Sequence, residues 1–245
     1  MKESKMSDFL FTIPVYWINL DRSENRKNVF LKNNYKYFKN ITRISGIDCL
    51  NMTVTLYEKS QVPLIPGELA VICSQLKAIK KAYDDKHEYV LIMEDDNGLD
   101  PIIENNIDLD KIPFTIENWD VLQLHTSNAL VVEKLSNINN RLWIPWEPIH
   151  HSAGAYIIKR NMMKVLLDKY WVSDTIINTG NHPYPVADRL IYDSGNSFTI
   201  VYPLFREFEN NISLIHPFHT PFHKYGTDLS KKIALPSQLP FLNKT

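Results

Sequence analysis

Three consecutive acids, Glu94-Asp95-Asp96, follow the apolar run Val90-Leu91-Ile92-Met93. Adjacent carboxylates repel, and burying them without a positive partner costs on the order of several kcal/mol. At the carboxyl end of a buried α/β strand they are placed to hold a divalent cation against a phosphate, in the crevice where such folds bind ligands. An acidic turn in water is the bland account of an isolated Asp-Asp pair. The hydrophobic run in front favours the metal–phosphate account, with Asp96 as a ligand beside Glu94 or Asp95.

Other polar groups stand where strands would hand over to helices. In Ile18-Asn19-Leu20-Asp21-Arg22-Ser23-Glu24-Asn25-Arg26, Asn19 can donate and accept towards a base or ribose. Arg22 and Arg26 can meet a diphosphate bidentately. The competing account is helix capping by Asp21 or Ser23, with both arginines in solvent. Ser152-Ala153-Gly154-Ala155-Tyr156 either lets a substrate approach the backbone or permits tight strand packing. Asp188 is a lone acid at a helix start, a cap or a general base. His216, His219 and His223 are separated by prolines and define no geometry of their own. One of them, taken as His219, can join the acids as a further ligand. Trp143 and Trp146 belong to the core or to a sugar-stacking wall beside the cleft.

Composition narrows the chemistry. Among 245 residues, 27 basic against 28 acidic side chains leave a net charge of −1, which gives no electrostatic case for a nucleic-acid partner. Only seven glycines are present, and none forms a Walker or dinucleotide loop, so a phosphate would be held by metal and side chains. Cys49 and Cys73 have no metal-ligand spacing and suit a reducing compartment. The polar stretch 1–8 and the short, proline-interrupted stretch 9–15 predict neither signal peptide nor membrane span, and hence a cytoplasmic location.

The elements that must position these groups follow from periodicity. A strand is expected over 13–20, a helix from Asp21-Arg22-Ser23-Glu24, a short strand over 38–44, and a proline-broken loop over 50–66. Pro66-Gly67-Glu68 opens a helix with Leu69, Ile72, Leu76, Ile79 and Tyr83 on one face. After the acid-tipped strand come a strand over 119–124, a β-rich segment over 130–144, helices over 159–170 and 187–192, and strands over 198–202 and 212–215. The chain after Pro217 is expected to be irregular. Alternating strands and helices predict one α/β domain, with halves at about 10–125 and about 126–225 and an irregular tail at 226–245.

Six segments in order carry a resemblance. They are Trp17-Ile18-Asn19-Leu20-Asp21-Arg22 with Arg26; Arg43-Ile44-Ser45-Gly46-Ile47-Asp48; and Pro66 to Ser74. Then come Val90 to Asp96, Ala153 to Ile158, and Pro185 to Asp188. Together they resemble the family 25 glycosyltransferases, which include bacterial lipooligosaccharide and collagen-modifying galactosyltransferases. The resemblance implies a GT-A-like fold, a Rossmann-related mixed sheet flanked by helices. It implies a UDP-hexose donor (galactose or glucose), a Mn²⁺ or Mg²⁺ ion, and inverting transfer to a glycan or glycoprotein hydroxyl. By the same resemblance Asn19 and Arg26 belong to the nucleotide site with Arg22, Glu68 and Asp95, Asp48 to its ribose side, and Glu94 and Asp96 to the metal. The chain departs from the family at Gln75, where a histidine is usual, and at Asn97, where an apolar or acidic residue is. Asp188 also stands one residue further from Pro185. The Gln75 departure supports a rival reading, a carbohydrate-binding or scaffolding module without turnover. The three retained acids argue against it, since a pure binder has no need of them.

Overall fold

The computed structural model describes residues 10–58, 62–104, 116–136, 138, 141–180, 182–202, 204–208 and 220–233. Its centre is a seven-stranded mixed sheet. In chain order the strands are β1 (Val15–Asn19), β2 (Ile41–Ser45), β3 (Thr55–Leu56), β4 (Tyr89–Glu94), β5 (Asn97–Gly98), β6 (Val121–Gln123) and β7 (Trp143–Pro145). They continue with β8 (Ala155–Lys159), β9 (Trp171–Ser173), β10 (Ile176–Ile177), β11 (Ser197–Ile200) and β12 (Arg206–Glu207). The helices are α1 (Glu24–Asn34), α2 (Pro66–Asp84), α3 (Asp100–Glu104), α4 (Ala129–Ser136), α5 (Arg160–Tyr170), α6 (Ala187–Tyr192) and α7 (Thr220–Ile233).

The sheet order is β2-β1-β4-β8-β6-β11-β7. β1 is parallel to β2 and β4, β11 is parallel to β6, and β8 runs antiparallel between β4 and β6. Five strands therefore end at one edge of the sheet, where β8 begins. Both faces are covered, which is why the central strands read as continuous apolar runs. Val15, Trp17, Leu91 and Met93 point into one core with Phe30 of α1. Tyr16, Ile18, Val90 and Ile92 point into the other, with Ile72, Leu76 and Ile79 of α2 and Met163 and Leu166 of α5. The stripe expected on α2 is the stripe it buries. Pro66 starts that helix, where its missing N–H costs nothing.

Two segments depart from expectation. The stretch expected to be β-rich over 130–144 opens with α4, and only Trp143–Pro145 is a strand. Its valines favour strands locally, but Val131, Val132 and Leu135 recur at helical spacing and all three are buried. The tail expected to be irregular forms α7, packed against α4. Pro221 lies in its first turn, where proline is tolerated. Gly226 is needed for close approach, because a Cβ there would lie 2.2 Å from the Ser127 carbonyl oxygen. Within the loop at 50–66, β3 pairs with β10 in a small second sheet. The strand expected over 212–215 lies outside the described residues. No helix among the described residues is long and apolar enough to cross a membrane.

Candidate functional site

The crevice expected of such a sheet falls at the carboxyl ends of β1 and β4, which are adjacent and parallel. Ile18 is in register with Glu94, so the residues just beyond the two strands face each other. Asn19, buried at 1% exposure, donates from Nδ2 to Asp95 Oδ2 at 2.7 Å. Its Oδ1 accepts from Arg43 Nε and Nη2 at 3.0 and 2.8 Å. Arg43 in turn reaches Asp21 Oδ1 at 2.6 Å, while Ser45 Oγ donates to Asp21 Oδ2 at 2.7 Å. Asp21 is thus committed to β2, and Ser23, at the N-cap of α1, makes no side-chain cap. The helix-capping account of this segment is not the one the chain adopts.

Arg26, in the first turns of α1, crosses the crevice to the acids. Its Nη2 contacts Asp95 Oδ1 and donates to Asp96 Oδ2, the latter at 2.6 Å. Burial opposes the Arg26 charge, but Asp96, Asp95 and Glu94 outweigh it and raise the guanidinium pKa. The other oxygen of Asp96 accepts from Asn97 Nδ2 at 2.8 Å. Asp95 is pushed up to about 6 by burial and then by Asp96, with Arg26 and Asn19 pulling it back. Glu94, expected beside Asp96 as a ligand, has one of its oxygens held by Gln75. Gln75 Nε2 donates to Glu94 Oε1 at 2.8 Å, and Gln75 Oε1 accepts from Tyr156 Oη at 2.8 Å. Burial, then Asp96, pushes Glu94 up to about 8, and the Gln75 hydrogen bond offsets part of this.

Asp188 begins α6 and accepts the Ser152 N–H at 3.2 Å, with His151 Nδ1 at 3.6 Å. That loop runs straight to the acids, since Gly154 O accepts the Glu94 N–H at 2.8 Å. His151 and Ser152 both have positive φ, +28° and +82°, a strained conformation for non-glycine residues. Gln123 holds it: its Nε2 lies within hydrogen-bond reach of the carbonyls of His150, His151 and Ser152. Tyr192 Oη adds a bond to Ser152 O at 3.1 Å.

Three expected residues lie further out. Arg22 Nε pairs with Asp48 Oδ2 at 2.6 Å at the rim, and Asp48 also caps its own turn through the Leu50 N–H at 3.1 Å. Glu68 Oε2 accepts the Ile65 N–H at 2.9 Å, so its carboxylate caps α2. It is seven residues before Gln75, about 10 Å along the helix. Trp146 stacks on Tyr192, ring centroids 5.2 Å apart, and packs against α6.

The sequence reading gave Arg43 no site role and did not name His125, Gln123 or Glu207, the partner of His223. His125 Nδ1 is 2.9 Å from Ser152 Oγ, and burial lowers its pKa. It stands two residues past β6 as Asp96 stands two past β4, and the rule that marked the acids could have marked it too. β12 pairs with β5, immediately after the acids, and Phe208 N–H donates to Asp96 O at 2.7 Å. This brings in Glu207, whose Oε1 is 3.3 Å from His223 Nδ1. Glu207, followed by Asp96 and Glu94, overcomes burial to raise the His223 pKa. His216 and His219 lie outside the described residues.

Among the described residues no three His, Cys, Asp or Glu side chains converge as a ready-made metal cage. The donor set nonetheless fits a hard divalent ion. Oxygens of Asp95 and Asp96 already surround one cationic atom, Arg26 Nη2. Magnesium-type ions are commonly held by one or two carboxylates plus substrate phosphates.

The family model described as "Glycosyltransferase family 25 (LPS biosynthesis protein)" matches residues 12–179. A solved structure, "Crystal structure of a glycosyltransferase involved in the glycosylation of the major capsid of PBCV-1", is 11% identical, with a TM-score of 0.45 over 91% of this chain and 98% of that one. No curated protein matches the chain.

Proposed function

We propose, from the premise that this chain belongs to glycosyltransferase family 25, that it transfers galactose or glucose from a UDP-sugar to a hydroxyl of a glycan or glycosylated protein, with inversion, on a GT-A-like scaffold. The observation that carries this reading is the convergence of Asn19, Arg26, Asp95 and Asp96 in the crevice between β1 and β4. Asn19 would face the nucleoside, with the Arg22–Asp48 pair on the ribose side. Arg26 would turn its fork to the diphosphate. Asp95 and Asp96 would hold Mn²⁺ or Mg²⁺, which when bound supplies charge compensation for the leaving nucleoside diphosphate. His223, whose pKa is raised first by its Glu207 partner, also feels Asp96 and Glu94 and so stands on the same side as the acids.

Asp188 is the proposed base. The acceptor O–H gives its proton to the Asp188 carboxylate as the oxygen attacks the anomeric carbon. The bond to the diphosphate breaks with its electron pair on the diphosphate oxygen. The Ser152 N–H leaves Asp188 with further acceptor capacity for such a proton.

The test pairs thermal-shift binding of UDP-hexoses, with and without Mn²⁺, with a transfer assay on Asp188→Asn. Donor binding should persist in the variant while transfer falls by about 10²–10⁴. Full transfer by Asp188→Asn would remove this residue from the mechanism. A wild type that binds glycans but turns over no UDP-hexose would overturn the transferase reading.

A further inference from the structure

We propose that Arg26 is a built-in counter-ion that closes the Asp95–Asp96 pair to a divalent cation until a nucleoside diphosphate draws the guanidinium away. Metal and nucleotide then bind together, and neither binds well alone. This rests on the metal–diphosphate reading of the crevice and adds to it a coupling between the two ligands.

The division of labour among the carboxylate oxygens carries the argument. Each aspartate has one oxygen held by a neutral amide, Asp95 Oδ2 by Asn19 at 2.7 Å and Asp96 Oδ1 by Asn97 at 2.8 Å. Each turns its other oxygen to the same nitrogen of Arg26. The amides aim the carboxylates, and the guanidinium fills the point at which they are aimed. An entering cation would meet a positive charge already in place. Removing the guanidinium to solvent would break two charge-assisted bonds.

A diphosphate changes this balance because it offers the guanidinium an equivalent partner. Arg26 has capacity for one: its Nε is buried with no hydrogen-bond partner among the described residues, and its side chain is 22% exposed at the crevice. With Arg26 turned to the phosphates, Asn19 and Asn97 would keep the two freed oxygens directed at one point.

The experiment measures Mn²⁺ affinity by electron paramagnetic resonance, with and without UDP, for wild type, Arg26→Gln and Arg26→Lys. In the wild type UDP should tighten Mn²⁺ at least about tenfold, and Mn²⁺ should tighten UDP by the same factor, as linkage requires. Arg26→Gln should bind Mn²⁺ without UDP about tenfold more tightly than wild type and lose most of the coupling. Arg26→Lys, which keeps a cation on α1, should stay closer to wild type in UDP-free Mn²⁺ affinity. Equal Mn²⁺ affinity of the wild type with and without UDP overturns the coupling and leaves the crevice reading standing. So does UDP-free Mn²⁺ affinity in folded Arg26→Gln no tighter than wild type. Failure of UDP and UDP-hexoses to bind the wild type in Mn²⁺ overturns the metal–diphosphate reading itself.

Discussion

Gly154→Ala tests whether the small-residue run before β8 is a seat for the acid motif. A Cβ at Gly154 would lie 2.5 Å from Asn97 Nδ2, 3.1 Å from Asn97 Cγ and 3.1 Å from His125 Nδ1. Ordinary contact needs about 3.5 Å, so the amide must retreat by about 1 Å. Asn97 has little room, because it is 1% exposed, its strand is paired with β12, and its carbonyl accepts from Asn34 Nδ2 at 3.0 Å. The retreat would sever the Asn97–Asp96 hydrogen bond, a bond to a charged group worth about 1.5–3 kcal/mol. The lower unfolded-state entropy of alanine returns only about 0.4–1 kcal/mol. The expected net loss is about 2 kcal/mol, or about 4–8 °C in Tm for a chain of this size. Urea denaturation of Gly154→Ala, Asn97→Ala and the double variant measures it. The double variant should be less destabilised than the sum of the singles, since removing the amide makes room for the new methyl. A Gly154→Ala protein within about 0.5 kcal/mol of wild type, or strictly additive singles, refutes the reasoning.

Gly226→Ala sets two effects against each other: helix propensity favours alanine by about 1 kcal/mol, while overpacking costs about 1–3 kcal/mol. The obstacle 2.2 Å away is backbone, Ser127 O, so the variant should be net destabilised and α7 should exchange its amide hydrogens faster; a stabilised variant contradicts the close packing. Glu94 supplies a pH signature, because its folded pKa is raised from 4.5 to about 8. The native state keeps a proton that the unfolded chain has lost, so this contribution is full below about 4.5 and disappears as pH rises to about 8. In ligand-free protein the stability of Glu94→Gln relative to wild type should therefore grow over that window, at no more than about 1.4 kcal/mol per pH unit, and then level off. A difference constant from pH 5 to 8 in denaturation experiments would count against it.

What could be read in the sequence was what is local. Val90–Met93 and Val15–Ile18 are continuous apolar runs, and α2 has a 3.6-residue stripe opened by Pro66, so their types and approximate limits follow from composition. Asn19 and Arg26 were legible for a similar reason, since Asn19 ends and Arg26 closely follows a strand whose end can be recognised. Arg43 was not, because its role depends on β2 lying parallel beside β1. Gln123 and His125 depend on β8 being inserted between β4 and β6, an order that no local pattern announces. The valines of α4 and the Pro and Gly of α7 each signal the wrong local structure, and the packing of the two helices on each other overrides both. Glu68 shows the converse: a carboxylate suited to a ligand serves its own helix terminus.

The short ladder between β5 and β12 also bears on when the site can exist. It joins Asn97 to Glu207, about 110 residues later in the chain, and Phe208 closes onto the Asp96 carbonyl. At synthesis rates of about 5–20 residues per second, some 5–20 s separate translation of the acids from translation of the strand that completes their turn. During that interval the nascent chain carries Glu94, Asp95 and Asp96 without Glu207 or His223. The acidic turn cannot be finished until the later strand has been made, so release of a competent protein waits on its far end. A stop codon or frameshift anywhere before Arg206 would leave the β1–β4 crevice without this closure, even though the strands that form it were made much earlier.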